Sequence, residues 1–229
     1  MLKKAPGQDK AVIPKRRPAT RRALLFDLDG TLVDTEELIL TSFRYATSSV
    51  LGSSPPDEVM RNMIGIPLRY QMRKINEEHA EEMLLAYREH NSRIHDELIK
   101  EFPGTAATLA KLAAAGYRLA VVTSKMSESA QRDLRVFGLE GFFEFVQGSD
   151  KTDQHKPNPE PLLFAAETLG LSPEQCAYIG DSPYDMQAAR AAGMLAVAAL
   201  WGMFSRESLL EAGAQHELTR IEELPELFC

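Results

Sequence analysis

The sequence predicts an α/β protein, a doubly wound parallel sheet with an all-helical insertion near its N-terminal end. Three observations carry this expectation. Short apolar runs at 23–26, 119–122, 143–146, 176–179 and 195–199 alternate with helical patterns, and that alternation implies a parallel sheet covered on both faces. Between Thr35 and Glu101 no strand signal of any strength occurs, and apolar residues recur at helical spacing instead. The first apolar run breaks into two acids one residue apart, Asp27 and Asp29, followed by Gly30 and Thr31. Alternate side chains of an extended segment face the same way, so both acids are aimed at one pocket.

Three segments follow from this pattern. Residues 1–21 are a basic stretch: Lys3, Lys4, Lys10, Lys15, Arg16, Arg17 and Arg21 are interleaved with Pro6, Pro14 and Pro18 against one acid, Asp9. A solvated, weakly structured tail is expected, with contact to nucleic acid or an acidic partner as the lesser alternative. Residues 22–34 and 102–229 form the α/β core, and 35–101 the inserted helical domain.

In the insertion, Thr35 opens a helix with Ile39, Phe43, Ala46 and Val50 on one face, ended by Gly52-Ser53-Ser54-Pro55-Pro56. A second helix covers about 57–63, and Ile64-Gly65-Ile66-Pro67 breaks the pattern. A long run follows with Ala80, Met83, Leu84, Tyr87, Asn91, Ile94 and Leu98 along one stripe. In the core, an Ala/Leu helix stops at Gly116 and another, with Ala130, Leu134 and Phe137, stops at Gly138. Asn158-Pro159 reads as an N-cap followed by proline at the first helical position, and a further helix lies around 185–192.

Composition narrows the function. The chain has 229 residues, a 44% hydrophobic share and a formal charge of -7. That acidic balance argues against a general nucleic-acid binder, whose surface must neutralise phosphates. No apolar run approaches the ~18 residues of a membrane span, and no secretory signal is visible. The two cysteines, Cys176 and Cys229, form neither a metal-spaced cluster nor a disulfide framework, which fits a cytoplasmic protein. Monomer and homodimer both stay open.

Chemistry gathers where the apolar runs end, the edge at which such sheets bind ligands. Asp27 and Asp29 follow the first run, Thr123 and Ser124 the second, and Asp181 the fourth; Lys156 lies just before a helix. Carboxylates suit a hard cation such as Mg2+, and a hydroxyl and an ammonium suit phosphate oxygens. Singly, an Asp-Gly turn, a surface lysine or a strand-end threonine is ordinary; their conjunction in order is not. His79, His90, His95 and His155 are not spaced as a metal site, and Trp201 and Phe204 read as packing residues.

On these residues the sequence resembles the haloacid-dehalogenase-like (HAD) hydrolases of phosphatase type. The matching motifs are Asp27-Leu28-Asp29-Gly30-Thr31, Thr123 after a buried strand, Lys156, and Gly180-Asp181-Ser182-Pro183-Tyr184-Asp185. The resemblance implies a Rossmann-like core with a helical cap. It makes Asp27 the nucleophile and Asp29 the general acid and base. It places Mg2+ on Asp27, the Asp29 backbone carbonyl and Asp181, and phosphoryl oxygens on Thr123, Ser124 and Lys156. Asp185 then orients Lys156 or the metal's waters. Within the cap, Ile64, Gly65 and Arg69 are the candidates for substrate specificity, with Arg44 and Lys74 weaker; Gly65-Ile66-Pro67 reads equally as an interhelix turn.

Glu37-Leu38-Ile39, Ser42-Phe43, Ile64-Gly65, Tyr87-Arg88 and His95-Asp96-Glu97-Leu98 look most like the family's pyrophosphatases and phosphoglycolate phosphatases, although Ile66 stands where the pyrophosphatase pattern has proline. The expected activity is a Mg2+-dependent phosphatase acting on a small phosphorylated metabolite. Inorganic pyrophosphatase is the alternative, ahead of a phosphomutase or a non-catalytic binding protein.

Overall fold

A computed structural model describes residues 22–229; the readings made for the basic stretch 1–21 lie outside the described residues. The chain runs β1 (Ala23–Phe26), β2 (Val33–Asp34), α1 (Glu36–Leu51), α2 (Asp57–Arg61), α3 (Leu68–Ile75), α4 (Ala80–Leu98) and β3 (Lys100–Glu101). It continues with α5 (Thr105–Ala114), β4 (Arg118–Val122), α6 (Ser127–Val136), β5 (Val146–Gln147), α7 (Glu160–Thr168) and β6 (Cys176–Gly180). The last elements are α8 (Pro183–Ala192), β7 (Leu195–Ala199), α9 (Arg206–Glu211), β8 (His216–Leu218) and α10 (Leu224–Phe228).

Six strands form one sheet in the order β5-β4-β1-β6-β7-β8, each pair parallel. Strand β1 lies in the middle because all four of its residues are apolar and wholly buried; each such Leu or Phe contributes about 1.5–3 kcal/mol by leaving water. Leu24 and Phe26 pack with Val121, Ile179 and Val197 on one face, and Leu25 packs with Ala120, Tyr178 and Ala196 on the other. The register sets Phe26 beside Val121 and Ile179. That alignment brings Asp27, Thr123 and Asp181 to the same carboxyl edge.

Helices α1–α4 bury a separate apolar cluster that includes Ile39, Phe43, Met60, Met72, Met83 and Tyr87. The Phe43 and Tyr87 rings meet edge to face at 5.2 Å. Arg44 Nε and Nη2 each donate to an Asp57 carboxylate oxygen at 3.0 Å. Its guanidinium therefore joins α1 to α2 rather than facing a ligand, and Lys74 is exposed on α3.

The structure corrects the expected elements in several places. The interval taken as free of strands contains β3, which pairs antiparallel with β2 through Val33 with Glu101 and Asp34 with Lys100. It is two exposed residues long, so it has no apolar alternation to read. This pairing ties together the two chain segments that enter and leave the helical block. The run at 143–146 enters the sheet late, with β5 starting at Val146. Strand β8 was not expected, since His216-Glu217-Leu218 is polar and lies at an edge. An extended Asn76 separates α3 from α4. Asn158 Oδ1 accepts from Glu160 N at 2.9 Å, and α7 begins at Glu160, with Pro161 rather than Pro159 inside its first turn.

Candidate active site

Asp27 follows β1 and is 4% exposed. Its Oδ2 lies 3.0 Å from Lys156 Nζ, while its buried Oδ1 has no hydrogen-bond partner among the described residues. Lys156, 3% exposed, also donates to Asp185 Oδ1 at 2.6 Å and to the Tyr178 hydroxyl at 3.0 Å. Tyr178 in turn donates to the Val122 carbonyl at 2.7 Å, which fixes the ammonium between two acids. Asp185 is fully buried because the cap of α8 holds it there. Its Oδ2 accepts from Ser182 N at 2.9 Å and from Ser182 Oγ at 2.6 Å, a reciprocal capping box.

Asp181 leaves β6 with its carboxylate enclosed. Thr31 Oγ1 donates to Oδ1 at 3.3 Å and Met203 N to Oδ2 at 2.8 Å, and Trp201 Nε1 donates to the Thr31 carbonyl at 2.9 Å. A Cβ on Gly30 would stand 2.2 Å from Asp181 Oδ2, and one on Gly202 2.2 Å from its Cβ. Glycine at both positions is what lets backbone close over this acid.

Three buried acids this close carry a large electrostatic cost. Burial, then the neighbouring Asp185 and Asp29, push the Asp27 carboxyl up to about 7 despite Lys156. Burial, followed by Asp185 and Asp27, raises Asp181 well above the usual carboxylate range. Burial works against the charge on Lys156, but Asp185 and Asp27 outweigh it and raise its pKa. One ammonium does not offset three carboxylates; a divalent cation would. Oxygens of Asp27, Asp181 and Asp185 lie within 4.8 Å of one another, and Asp27 Oδ1 is unpartnered, so the donor set fits such an ion. Asp185 is bonded at both oxygens to Lys156 and Ser182 and Asp181 at both to Thr31 and Met203, so Asp27 Oδ1 is the oxygen of the three acids that stands without a hydrogen-bond partner among the described residues.

Asp29 stands across the site with its side chain 14% exposed. Its Oδ1 accepts from Thr35 Oγ1 and from Lys125 Nζ, each at 2.7 Å. Thr123 is nearly buried and accepts from Lys125 N at 3.2 Å. Ser124 Oγ donates to the Gly65 carbonyl at 2.6 Å, so its hydroxyl joins the core to the helical block. A cleft of about 900 Å³ opens here, lined by Asp27, Asp29, Thr123, Ser124 and Asp181 from the core and by Ile64, Gly65, Arg69 and Arg88 from the helices. Ile64 is buried, and Arg69 is tied at 3.1 Å to Glu81.

Core candidates Asp27, Lys156, Asp181 and Asp185 thus come into direct contact with one another or into one oxygen cluster, and Asp29 and Thr123 face the same cleft. Sequence reasoning missed Lys125, Thr35, Tyr178 and the Trp201-to-Met203 turn. Lys125 carried a legible signal, a charge directly after the buried strand and its Thr123-Ser124 end. Tyr178 read as core and is core, apart from its hydroxyl.

Fold and site together define a hydrolase of the phosphatase type, with acids and two lysines, Lys125 and Lys156, at the carboxyl edge of a parallel sheet beneath a helical block. The chain belongs to the haloacid dehalogenase-like hydrolases, whose family pattern matches residues 24–199. It is 37% identical over 171 residues to pyrophosphatase PpaX of Halalkalibacterium halodurans, covering 75% of this chain and 80% of that protein. It is 36% identical over 206 residues to pyrophosphatase PpaX of Listeria innocua, covering 88% and 93%. A solved haloacid dehalogenase-like hydrolase from Streptococcus pneumoniae superposes with a TM-score of 0.81 at 28% identity, covering 92% of this chain and 99% of that one.

Proposed function

We propose that this protein is a Mg2+-dependent phosphatase that hydrolyses a small soluble phosphate ester through an aspartyl phosphate on Asp27. The observation that carries this reading is the Asp27 carboxylate: buried, held at one oxygen by Lys156 and unpartnered at the other, at the floor of a cleft with room for a metabolite. Asp27 attacks phosphorus, and the bond from phosphorus to the leaving oxygen breaks. Asp29 gives that oxygen a proton, then takes one from the water that cleaves the aspartyl phosphate. Free phosphate departs and the Asp27 carboxylate is restored.

Lys156 and Thr123 hold phosphoryl oxygens while charge shifts onto them, and Asp185 keeps the ammonium aimed. A Mg2+ on Asp27, Asp181 and the Asp29 carbonyl would neutralise the approach of an anionic phosphate to an anionic nucleophile. In this reading the helical block closes over the cleft, and Ile64, Gly65 and Arg69, which line it from that side, select the leaving group.

A second reading, inorganic pyrophosphatase, is favoured by the two relatives carrying that name. Phosphate release from phosphoglycolate, sugar phosphates and pyrophosphate, ranked by kcat/KM with and without Mg2+, separates the two. In either case Asp27→Asn abolishes turnover; an Asp27→Asn protein with normal turnover would refute the nucleophile.

A further inference from the structure

Lys125 is the feature of this site that the reaction as described leaves unused. It bridges two acids: Nζ lies 2.7 Å from Asp29 Oδ1 and 2.5 Å from Asp133 Oδ2. Asp133, with its side chain 1% exposed, has its other oxygen 2.7 Å from His95 Nε2. His95 Nδ1 is 2.6 Å from Asp96 Oδ1, and that oxygen also accepts from Arg132 at 2.9 Å. Both ring nitrogens of His95 face carboxylate oxygens. The chain of contacts runs from α4 of the helical block, through α6, to the loop after β1.

Its end at Asp29 is one-sided. Lys125 and Thr35 both contact Oδ1, and Oδ2 takes no hydrogen bond from the described residues. A carboxylate pinned at one oxygen presents the other in a fixed direction, and proton transfer demands that geometry. A lysine held at one point only would leave the rotation of Asp29 unspecified. Here Asp133 fixes the ammonium from behind and His95 fixes Asp133, so the seat of α4 reaches the proton-transfer group through three side chains. Burial works against the charge on Lys125, but Asp133 and Asp29 overcome it and keep the ammonium protonated.

We infer that Lys125 is a positioning residue for Asp29, held in register by Asp133 and His95, so that proton transfer to the leaving group depends on the helical block being seated. The inference rests on Asp29 acting as the acid, and the test separates the two claims. A phenolate leaves without a proton, whereas an alkoxide needs one. The measurement is therefore kcat/KM with Mg2+ on p-nitrophenyl phosphate and on glycerol phosphate, for the wild type, Asp29→Asn, Lys125→Met, His95→Phe and His95→Gln.

We expect Lys125→Met to lose roughly 10- to 100-fold on glycerol phosphate and less than about threefold on p-nitrophenyl phosphate, a weaker copy of Asp29→Asn. His95→Phe follows Lys125→Met, and His95→Gln, whose amide still reaches Asp133, restores most of the loss. Because Lys125→Met leaves Asp133 buried without its cation, Lys125→Met/Asp133→Asn provides a folded counterpart and must show the same split. If Asp29→Asn splits the substrates and the Lys125 variants lose equally on both, the positioning role is wrong and the acid assignment stands. If Asp29→Asn shows no split, the acid assignment falls and the inference falls with it.

Discussion

Ser124 Oγ donates to the Gly65 carbonyl at 2.6 Å, joining the loop after β4 to the break between α2 and α3. Gly65 holds φ at +107°, and a Cβ there would stand 2.8 Å from the Tyr184 ring and 3.0 Å from Ser182 Oγ. Strain at such a backbone costs on the order of 1–3 kcal/mol, and the clash pushes the helical block off the core. Gly65→Ala is expected to lower kcat/KM by about tenfold or more, since small misplacements in a closed site are costly. An unchanged kcat/KM would mean that the helical block does not seat through this contact.

Lys156 touches Asp27 and Asp185 with its side chain 1% exposed. Removing one partner from a buried ionic cluster leaves charge without compensation, at about 3–5 kcal/mol. Lys156→Met should therefore lose that much unfolding free energy in urea when a chelator is present, and less with Mg2+ bound. Equal losses in the two conditions would show that the lysine and the ion do not share a charge-balancing role.

The acids also set a pH dependence. Asp27, ordinarily near 3.8, is pushed up to about 7 by burial first and by Asp185 and Asp29 next. Between those values the folded chain holds a proton that the unfolded chain has released. Stability of the metal-free protein thus falls as pH rises through that window, by at most about 1.4 kcal/mol per pH unit for this group. A cation that takes the proton's place relieves the penalty, so the rise in Tm on adding Mg2+ should be larger at pH 8 than at pH 5. A rise independent of pH would separate metal binding from the Asp27 carboxyl.

Much of this was legible in the sequence for a physical reason. Strand β1 is apolar at every position and wholly buried, so composition alone marked it and located Asp27 at its end. The exposed pair Lys100–Glu101 and the polar edge strand at His216–Leu218 bury too little to leave a periodic signal. Asp133 lies 38 residues beyond His95, and the two meet with Lys125 only because α4, α6 and the loop after β4 converge. Short-range patterning carries no trace of such a meeting. Asn91 was read as part of a packing stripe, but its amide donates to Ser42 Oγ at 3.1 Å, a polar contact between α4 and α1.

Arg88 offers a way to tell an ester from pyrophosphate as the substrate. It lines the cleft from α4, next to the buried Tyr87, and makes no hydrogen bond or ion pair among the described residues. Its neighbours are already committed, Arg69 to Glu81 and Arg132 to Asp96. Pyrophosphate brings a second phosphate into the space above Asp27, whereas p-nitrophenyl phosphate brings an apolar ring. One charge-assisted hydrogen bond contributes about 1.5–3 kcal/mol. Arg88→Ala should therefore raise KM for pyrophosphate roughly tenfold or more and leave KM for p-nitrophenyl phosphate within about twofold. A matched rise for both would make Arg88 a source of general field in the cleft. No rise for either would leave it facing solvent, and the leaving group would then have to be recognised by Ile64, Gly65 and Arg69.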